Sequence, residues 1–519
     1  MNTVVYLNLE DHPMKLPKNV SAPTEKTLEA NTLGLKRGLT SRQVSMIGLG
    51  GAIGTGLFLG SGLAISQAGP STIIAYVVCG LVALVIAWAL AEMVVVHPTA
   101  GSFGVLAHSY IGPWAGFTVR WTYWAIQCIA IGGEVIAAGI YIQFWWPAVP
   151  LWLTTIILSA VIIAINASAV GMFGRVEYWF SMIKVTAIAV FILLGILLIF
   201  FGLPGKAATG FANLTADGGF FPHGASGLLL AFVFVIFSFI GTEVVSVTAA
   251  EAQDPAKSVR KATSWMILRL ALFYVLAIAV VLTVTSWTKT AQVGSDITAS
   301  PFVLVFATAG VPAAATIMNF VVLTAALSSA NANLYLTTRM LHSLAAHRFA
   351  PSWAGKLTKH GAPARALILS TIGLLLAAII SVFAANTAYL ALFGISVFGA
   401  LVVWIMILIT HMRFRFVRER NGLPRSSSRL WGAPITTVLA ILFLAAVLVS
   451  TGFIPGLTWA WMAGVPFFLL LLVVFYFVKR RTGGERYDPL QSELARRDNP
   501  EAPTLRSEDT AQEEGEVLR

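Results

Sequence analysis

The sequence predicts an all-α polytopic membrane protein of about twelve transmembrane helices. Hydrophobic residues make up 57% of the 519, charged residues only 11%, and the mean hydropathy is +0.81. A soluble globular chain carries roughly 25% charged residues. About twelve apolar runs are long enough, at about 20 residues each, to cross a hydrocarbon core of ~30 Å. They lie at about 43–65, 72–96, 114–145, 151–172, 178–202, 225–249, 265–287, 303–330, 364–384, 388–411, 434–452 and 458–479.

Residues 1–42 read as a polar cytoplasmic tail with no cleavable leader, so the first span itself directs insertion. That span is interrupted by Gly50-Gly51-Ala52-Ile53-Gly54-Thr55-Gly56. Glycines there remove helix propensity where lipid least tolerates unpaired backbone. Close helix packing through small residues accounts for Gly50 and Gly54, but not for the whole cluster. The third and eighth runs are long and are expected to tilt or to continue as interfacial helix. The sixth span carries a polar interruption, Phe237-Ser238-Phe239-Ile240-Gly241-Thr242-Glu243. Two broken helices in corresponding positions mark a five-plus-five inverted repeat with discontinuous helices 1 and 6. The repeats are expected at 43–202 and 203–411, followed by a basic loop and two extra C-terminal helices at 412–480. The polar, acidic stretch 481–519 is expected to be a disordered cytoplasmic tail.

The net charge of +11 is a topology signal and not a nucleic-acid signal. With the N-terminus inside, the cytoplasmic loops collect Lys36, Arg37 and Arg42, then Lys257, Arg260 and Lys261, then Arg413 to Arg429. The opposite side holds essentially Lys206 and Lys289. This asymmetry predicts both termini in the cytoplasm of a cell-membrane protein in contact with lipid. Cys79 and Cys128 fall inside spans, which suits no extracellular disulfide.

Several segments in order resemble one family. They are Leu35-Lys36-Arg37-Gly38-Leu39, Met46 through Phe58, Ala91-Glu92-Met93 and Pro98 through Phe103. Gly241-Thr242-Glu243 with Glu251 through Pro255, Asn319 through Asn331, Thr338 through Leu341, and Trp404 through Arg415 complete the set. Across about residues 35–480 the chain resembles the amino acid permeases of the amino acid–polyamine–organocation superfamily, in the amino acid transporter branch. Ala330-Asn331-Ala332 departs from the Gly-Asn-Ser of family members.

A helix that stops and restarts exposes unpaired N–H groups, which favour a carboxylate. Ile53, Gly54, Thr55 and Gly56 are therefore the candidate carboxylate site, with the Thr55 hydroxyl as a further donor. Carbonyls near Ile47–Gly50, and others near Phe237–Phe239 beside Ser238, Ile240 and Gly241, suit an α-ammonium group. Family resemblance implies the same arrangement. Phe237 is a candidate gate, and Ile240, Trp124 and Gln127 could shape the side-chain pocket.

Ionisable groups within the membrane are costly and thus functional candidates. Glu134, in Gly132-Gly133-Glu134, is the candidate proton carrier; its alternative is a fixed hydrogen bond to a broken-helix amide. Lys184 is either an interfacial anchor or a cation bridging span-one carbonyls to Ser328 and Ser329, where it would replace a sodium ion. The resemblance adds that several superfamily members place a lysine in span five. Glu243 is assigned a gating or structural role, and Glu92 and Glu251 loop-locking ion pairs.

These residues predict a secondary active amino acid transporter, proton-coupled, importing a neutral or aromatic amino acid by alternating access. Exchange without net proton flux is the alternative, and a non-transporting nutrient sensor a third reading. No phosphate loop, metal cluster or nucleophile constellation is present, so neither an enzyme nor a cofactor is expected. The oligomeric state is left open.

Overall fold

The computed structural model describes residues 33–498, apart from 34, 36–37, 52, 59, 169, 205–206, 292–299, 359–361, 384, 455–456 and 483–487. Most of the N-terminal tail, Lys206 and the chain beyond residue 498 therefore lie outside the described residues.

The first span starts at a capping box. The Thr40 hydroxyl accepts from the Gln43 amide at 3.3 Å, and Gln43 Oε1 accepts from the Thr40 amide at 3.0 Å. The helix runs Ser41–Gly50, stops over the glycine cluster, and restarts at Thr55–Phe58 and Gly60–Ala68. A 3₁₀ turn at Gly69–Ser71, with Gly69 at φ +58°, leads into the second helix, Thr72–Val96. The sixth span is broken likewise. Gly224–Phe237 and Val244–Thr248 are separated by tight turns in which Gly241 takes φ +99°, a conformation glycine adopts without steric cost.

Seven helical stretches among the described residues are long and apolar enough to cross a membrane, and four shorter apolar helices accompany them. The third span, Pro113–Gln143, packs along the eighth-span helix, Ala314–Ala346, and also meets the tenth, Ala385–Arg420. The Ser41–Gly50 half-helix lies against the fifth, Val170–Phe200, while the restarted half lies against Gly224–Phe237. Both breaks are thus enclosed by other helices. The twelfth helix, Thr458–Thr482, is peripheral and leaves Met462, Leu469 and Phe477 more than half exposed. Such a large apolar surface fits contact with lipid.

Two expectations change. The eighth span, expected at about 303–330, is a short helix Pro301–Thr308 followed by Ala314–Ala346. Gly310 at φ +75° and Pro312 end the first piece. The long helix continues past residue 330 because Asn331, Thr337, Arg339 and Ser343 are buried against protein. In the tail expected to be disordered, Pro489–Asp498 is a helix. Leu490 is buried and Leu494, one turn on, packs against the main core.

Candidate functional site

The two breaks meet at glycines. A Cβ on Gly56 would fall 2.9 Å from Phe237 Cδ1 and 3.0 Å from Ser238 Cα. A Cβ on Gly54 would fall 2.8 Å from Glu134 Oε1 and 2.9 Å from Ser329 Oγ. Only hydrogen fits at either position, so these glycines let the second break and the third span close directly onto the first. A cavity of about 30 Å³ lies where they meet, room for about one water. Gly54, Gly56, Gln127, Glu134, Phe237 and Ile240 contribute to its walls. An adjoining space of about 10 Å³ reaches Thr55, Phe393 and Ser396.

Glu134 sits at the restart of the first span. Its Oε1 accepts from Ser329 Oγ at 2.9 Å, and Thr55 bonds the carboxyl through both hydroxyl and backbone. Oε2 is buried with no hydrogen-bond partner. The carboxylate site read from the sequence therefore already holds a carboxyl group belonging to the protein. The carbonyls expected for an ammonium group are also engaged. Ile47 accepts from Gly51 N at 2.7 Å, Phe237 from Ile240 N at 3.1 Å, and Phe239 from Thr242 N at 3.2 Å. The turns close on themselves, leaving each oxygen only its second lone pair.

Lys184 is fully buried. Its ammonium donates to the Ile53 carbonyl at 2.9 Å and to Ser328 Oγ at 2.8 Å. Ser328 in turn hydrogen-bonds Glu177, whose other oxygen accepts from Asn331 Nδ2 at 3.1 Å. Asn166 Nδ2 completes the chain on Asn331 Oδ1 at 2.8 Å. Sequence reasoning did not single out Glu177, although it lies two turns before Lys184 on the same helix face.

Glu243 ties the second break to two other spans. It accepts from Gly241 N at 3.1 Å, Tyr123 OH at 3.0 Å and Trp404 Nε1 at 3.4 Å. Gln127 Nε2 donates to the same Tyr123 hydroxyl at 2.9 Å. Ser238 Oγ lies 3.3 Å from Tyr76 OH. The Phe237 ring packs on Phe393, with centroids 4.3 Å apart. Trp124 points elsewhere, its indole donating to Ser370 Oγ at 3.1 Å.

Away from the breaks, Glu251 is buried against the eighth-span helix. Arg339 Nε donates to it at 2.8 Å and Tyr335 OH at 2.6 Å. Glu92 accepts from Arg415 Nη2 at 2.7 Å, the Leu430 amide at 2.8 Å, and lies 3.0 Å from His411 Nε2. No group of three or more His, Cys, Asp or Glu that could hold a metal ion occurs among the described residues.

A family model described as amino acid permease matches residues 43–484. The gamma-aminobutyric acid permease of Bacillus subtilis (strain 168) is 43% identical over 424 residues, which is 82% of this chain and 89% of that protein. The aromatic amino acid transport protein AroP of Escherichia coli (strain K12) is 40% identical over 449 residues, 86% of this chain and 96% of its own length. An uncharacterized amino acid permease of Bacillus subtilis (strain 168), YtnA, is 40% identical over 443 residues, with 85% and 95% covered.

Proposed function

The chain belongs to the amino acid permease family, and from that premise we propose that it imports a neutral or aromatic amino acid together with a proton. It is a multi-pass membrane protein and a transporter, not an enzyme. Coupling, substrate class and cytoplasmic termini are the proposal, the last supported by the basic loops.

The observation that carries the coupling is a buried trio. Glu134 and Glu177 both interact electrostatically with Lys184, and all three are buried. Two carboxyls and one ammonium form a neutral group only when one carboxyl holds a proton, and uncompensated charge in this setting is costly. Glu134 is assigned the exchangeable proton because it also lines the central cavity. Substrate carboxylate and Glu134 contend for the same donors at Thr55. A protonated Glu134 can release them, and its unpartnered Oε2 can then donate to the incoming carboxylate. The second lone pairs of Ile47, Phe237 and Phe239 are assigned to the ammonium group. Lys184 takes the position of a sodium ion at the Ile53 carbonyl.

The lack of a second charged group in the cavity wall supports the substrate class. Ile126, Ile240 and Phe237 line the cavity, and Glu134 is the one ionisable group among the lining residues. The names of the aromatic and gamma-aminobutyric acid relatives point to zwitterions without a charged side chain.

The test is uptake of labelled phenylalanine into proteoliposomes. An acid-outside pH gradient should raise accumulation, and Glu134→Gln should flatten the pH dependence. Uptake driven only by unlabelled internal substrate, indifferent to the gradient, would make the protein an exchanger. An unchanged pH profile in the variant would remove Glu134 as carrier.

A further inference from the structure

A second, larger cavity of about 550 Å³ lies at the basic end of the tenth-span helix. One wall is that helix, and the opposite wall is the loop 421–434 with the start of the eleventh helix, Ile435–Ser450. Two arginines build the frame. Arg415 donates to the Leu430 carbonyl at 2.8 Å and the Ala433 carbonyl at 3.2 Å, with Glu92 as counter-ion. Arg418 donates to the Pro424 carbonyl at 2.7 Å and to Glu493 at 2.6 Å. Their charges are neutralised within the fold.

The remaining cations are not. Arg425 and Arg429 both line the cavity, and Arg429 is exposed. The Arg425 guanidinium is 3.9 Å from Glu419, with the two side chains 73% and 80% exposed, so this pair is worth little.

In and behind the cavity wall, buried polar atoms lack partners. His411 and Thr437 are fully buried side chains in its wall. His411 Nδ1 and Thr437 Oγ1 have no hydrogen-bond partner, and neither does the buried Ser428 Oγ of the same loop. Glu92 already accepts from Arg415 and the Leu430 amide. A carboxylate only accepts, so His411 Nε2 donates to it. Buried polar groups are otherwise almost always satisfied.

The three features describe one ligand. Two guanidiniums and a hydroxyl call for an oxyanion, and the unpartnered His411 Nδ1 adds a further polar group beside it. The surroundings locate its source. Trp431 is 90% exposed beside the cavity, and Ile435 and Leu439 continue an outward apolar face at 69% and 60%. An exposed tryptophan at the head of an apolar helix marks the membrane interface. We propose that this cavity binds the headgroup of an anionic phospholipid such as phosphatidylglycerol. Arg425, Arg429 and Thr437 donate to the phosphate.

The test is lipid binding to the purified full-length protein, by native mass spectrometry and thermal unfolding, and it needs no transport measurement. Phosphatidylglycerol should be retained and should raise Tm beyond phosphatidylcholine, with inorganic phosphate giving no comparable shift. Arg425→Gln/Arg429→Gln should weaken that retention by about tenfold or more while leaving Tm in phosphatidylcholine unchanged. Thr437→Val should raise Tm in phosphatidylcholine, because an unpartnered hydroxyl is removed, and shrink the gain from phosphatidylglycerol. Arg260→Gln/Lys261→Gln, exposed on the helix Pro255–Arg269 elsewhere, should leave retention intact. Equal retention of the two lipids overturns the proposal, as does a full Tm shift from inorganic phosphate alone. So does an equal loss in the Arg260/Lys261 control, which would mean a diffuse field and not a site.

Discussion

The Lys184 ammonium lies 2.9 Å from the carbonyl oxygen of Ile53, joining the fifth span to the break in the first. The same nitrogen holds Ser328, and through it Glu177. Lys184→Met would strip this buried network of its cation and leave two carboxyls without a counter-charge. Removing one partner of a buried pair costs roughly 3–5 kcal/mol. The variant should melt well below the wild type and lose uptake. Adding Glu177→Gln should recover much of the Tm but none of the uptake. Wild-type uptake in Lys184→Met would exclude the ammonium from the mechanism.

Gly54→Val separates binding from folding. The first new carbon would stand 2.8 Å from Glu134 Oε1 and 2.9 Å from Ser329 Oγ, closer than real side-chain contacts permit. Glu134 must then leave Thr55, and the cavity of about 30 Å³ fills. Membrane insertion and monodispersity should persist while substrate-induced thermal stabilisation disappears. Retained stabilisation would show that the amides at the break do not hold the carboxylate. Gly133→Ala is the matched control, since a Cβ there meets nothing within 4 Å.

Both breaks were legible because glycine and turn chemistry act locally: Gly50, Gly51 and Gly54 together lower helix propensity at one point of the span, whatever surrounds them. The resemblance supplied the architecture for the same stretches. What escaped was tertiary. The turns at Phe237 and Phe239 satisfy their own carbonyls, which no spacing announces. Hydropathy reports what a residue would prefer to face, and it ended the eighth span at residue 330. Asn331, Thr337, Arg339 and Ser343 are polar yet buried, with partners such as Glu177 for Asn331 and Glu251 for Arg339. The helix Pro489–Asp498 was hidden because two leucines one turn apart barely alter an acidic composition.

Arg339 and Glu251 offer a cleaner energetic test. Arg339 Nε is 2.8 Å from the Glu251 carboxylate, both side chains are at most 5% exposed, and the guanidinium lies over the Tyr335 ring at 3.7 Å. Beside them the Leu39 amide donates to the Glu251 carbonyl at 3.1 Å, so the pair pins the segment after the sixth span between the stretch preceding the first helix and the eighth-span helix. Arg339→Met and Glu251→Gln should each destabilise by roughly 3–5 kcal/mol, and the double variant by clearly less than their sum. Additive losses in denaturation would mean that the two groups do not act as a pair.

Glu493 gives the C-terminal helix a pH dependence with a definite sign. Burial opposes its charge, but hydrogen bonds from His97 and Arg418 outweigh that and hold the carboxyl at about 2, below its ordinary 4.5. A carboxyl lowered in the docked state stabilises docking above the ordinary value and loses that contribution as pH falls through the lowered one. Amide exchange over residues 489–498, corrected for the intrinsic rate, should therefore stay slow from neutral pH to about 4.5 and accelerate toward pH 2. Glu493→Gln removes the charge-assisted bonds to Arg418, at 2.6 and 3.1 Å, and should exchange fast throughout. Protection that is equal in the two proteins at neutral pH would mean that Leu490 and Leu494 hold the helix down without the ion pair.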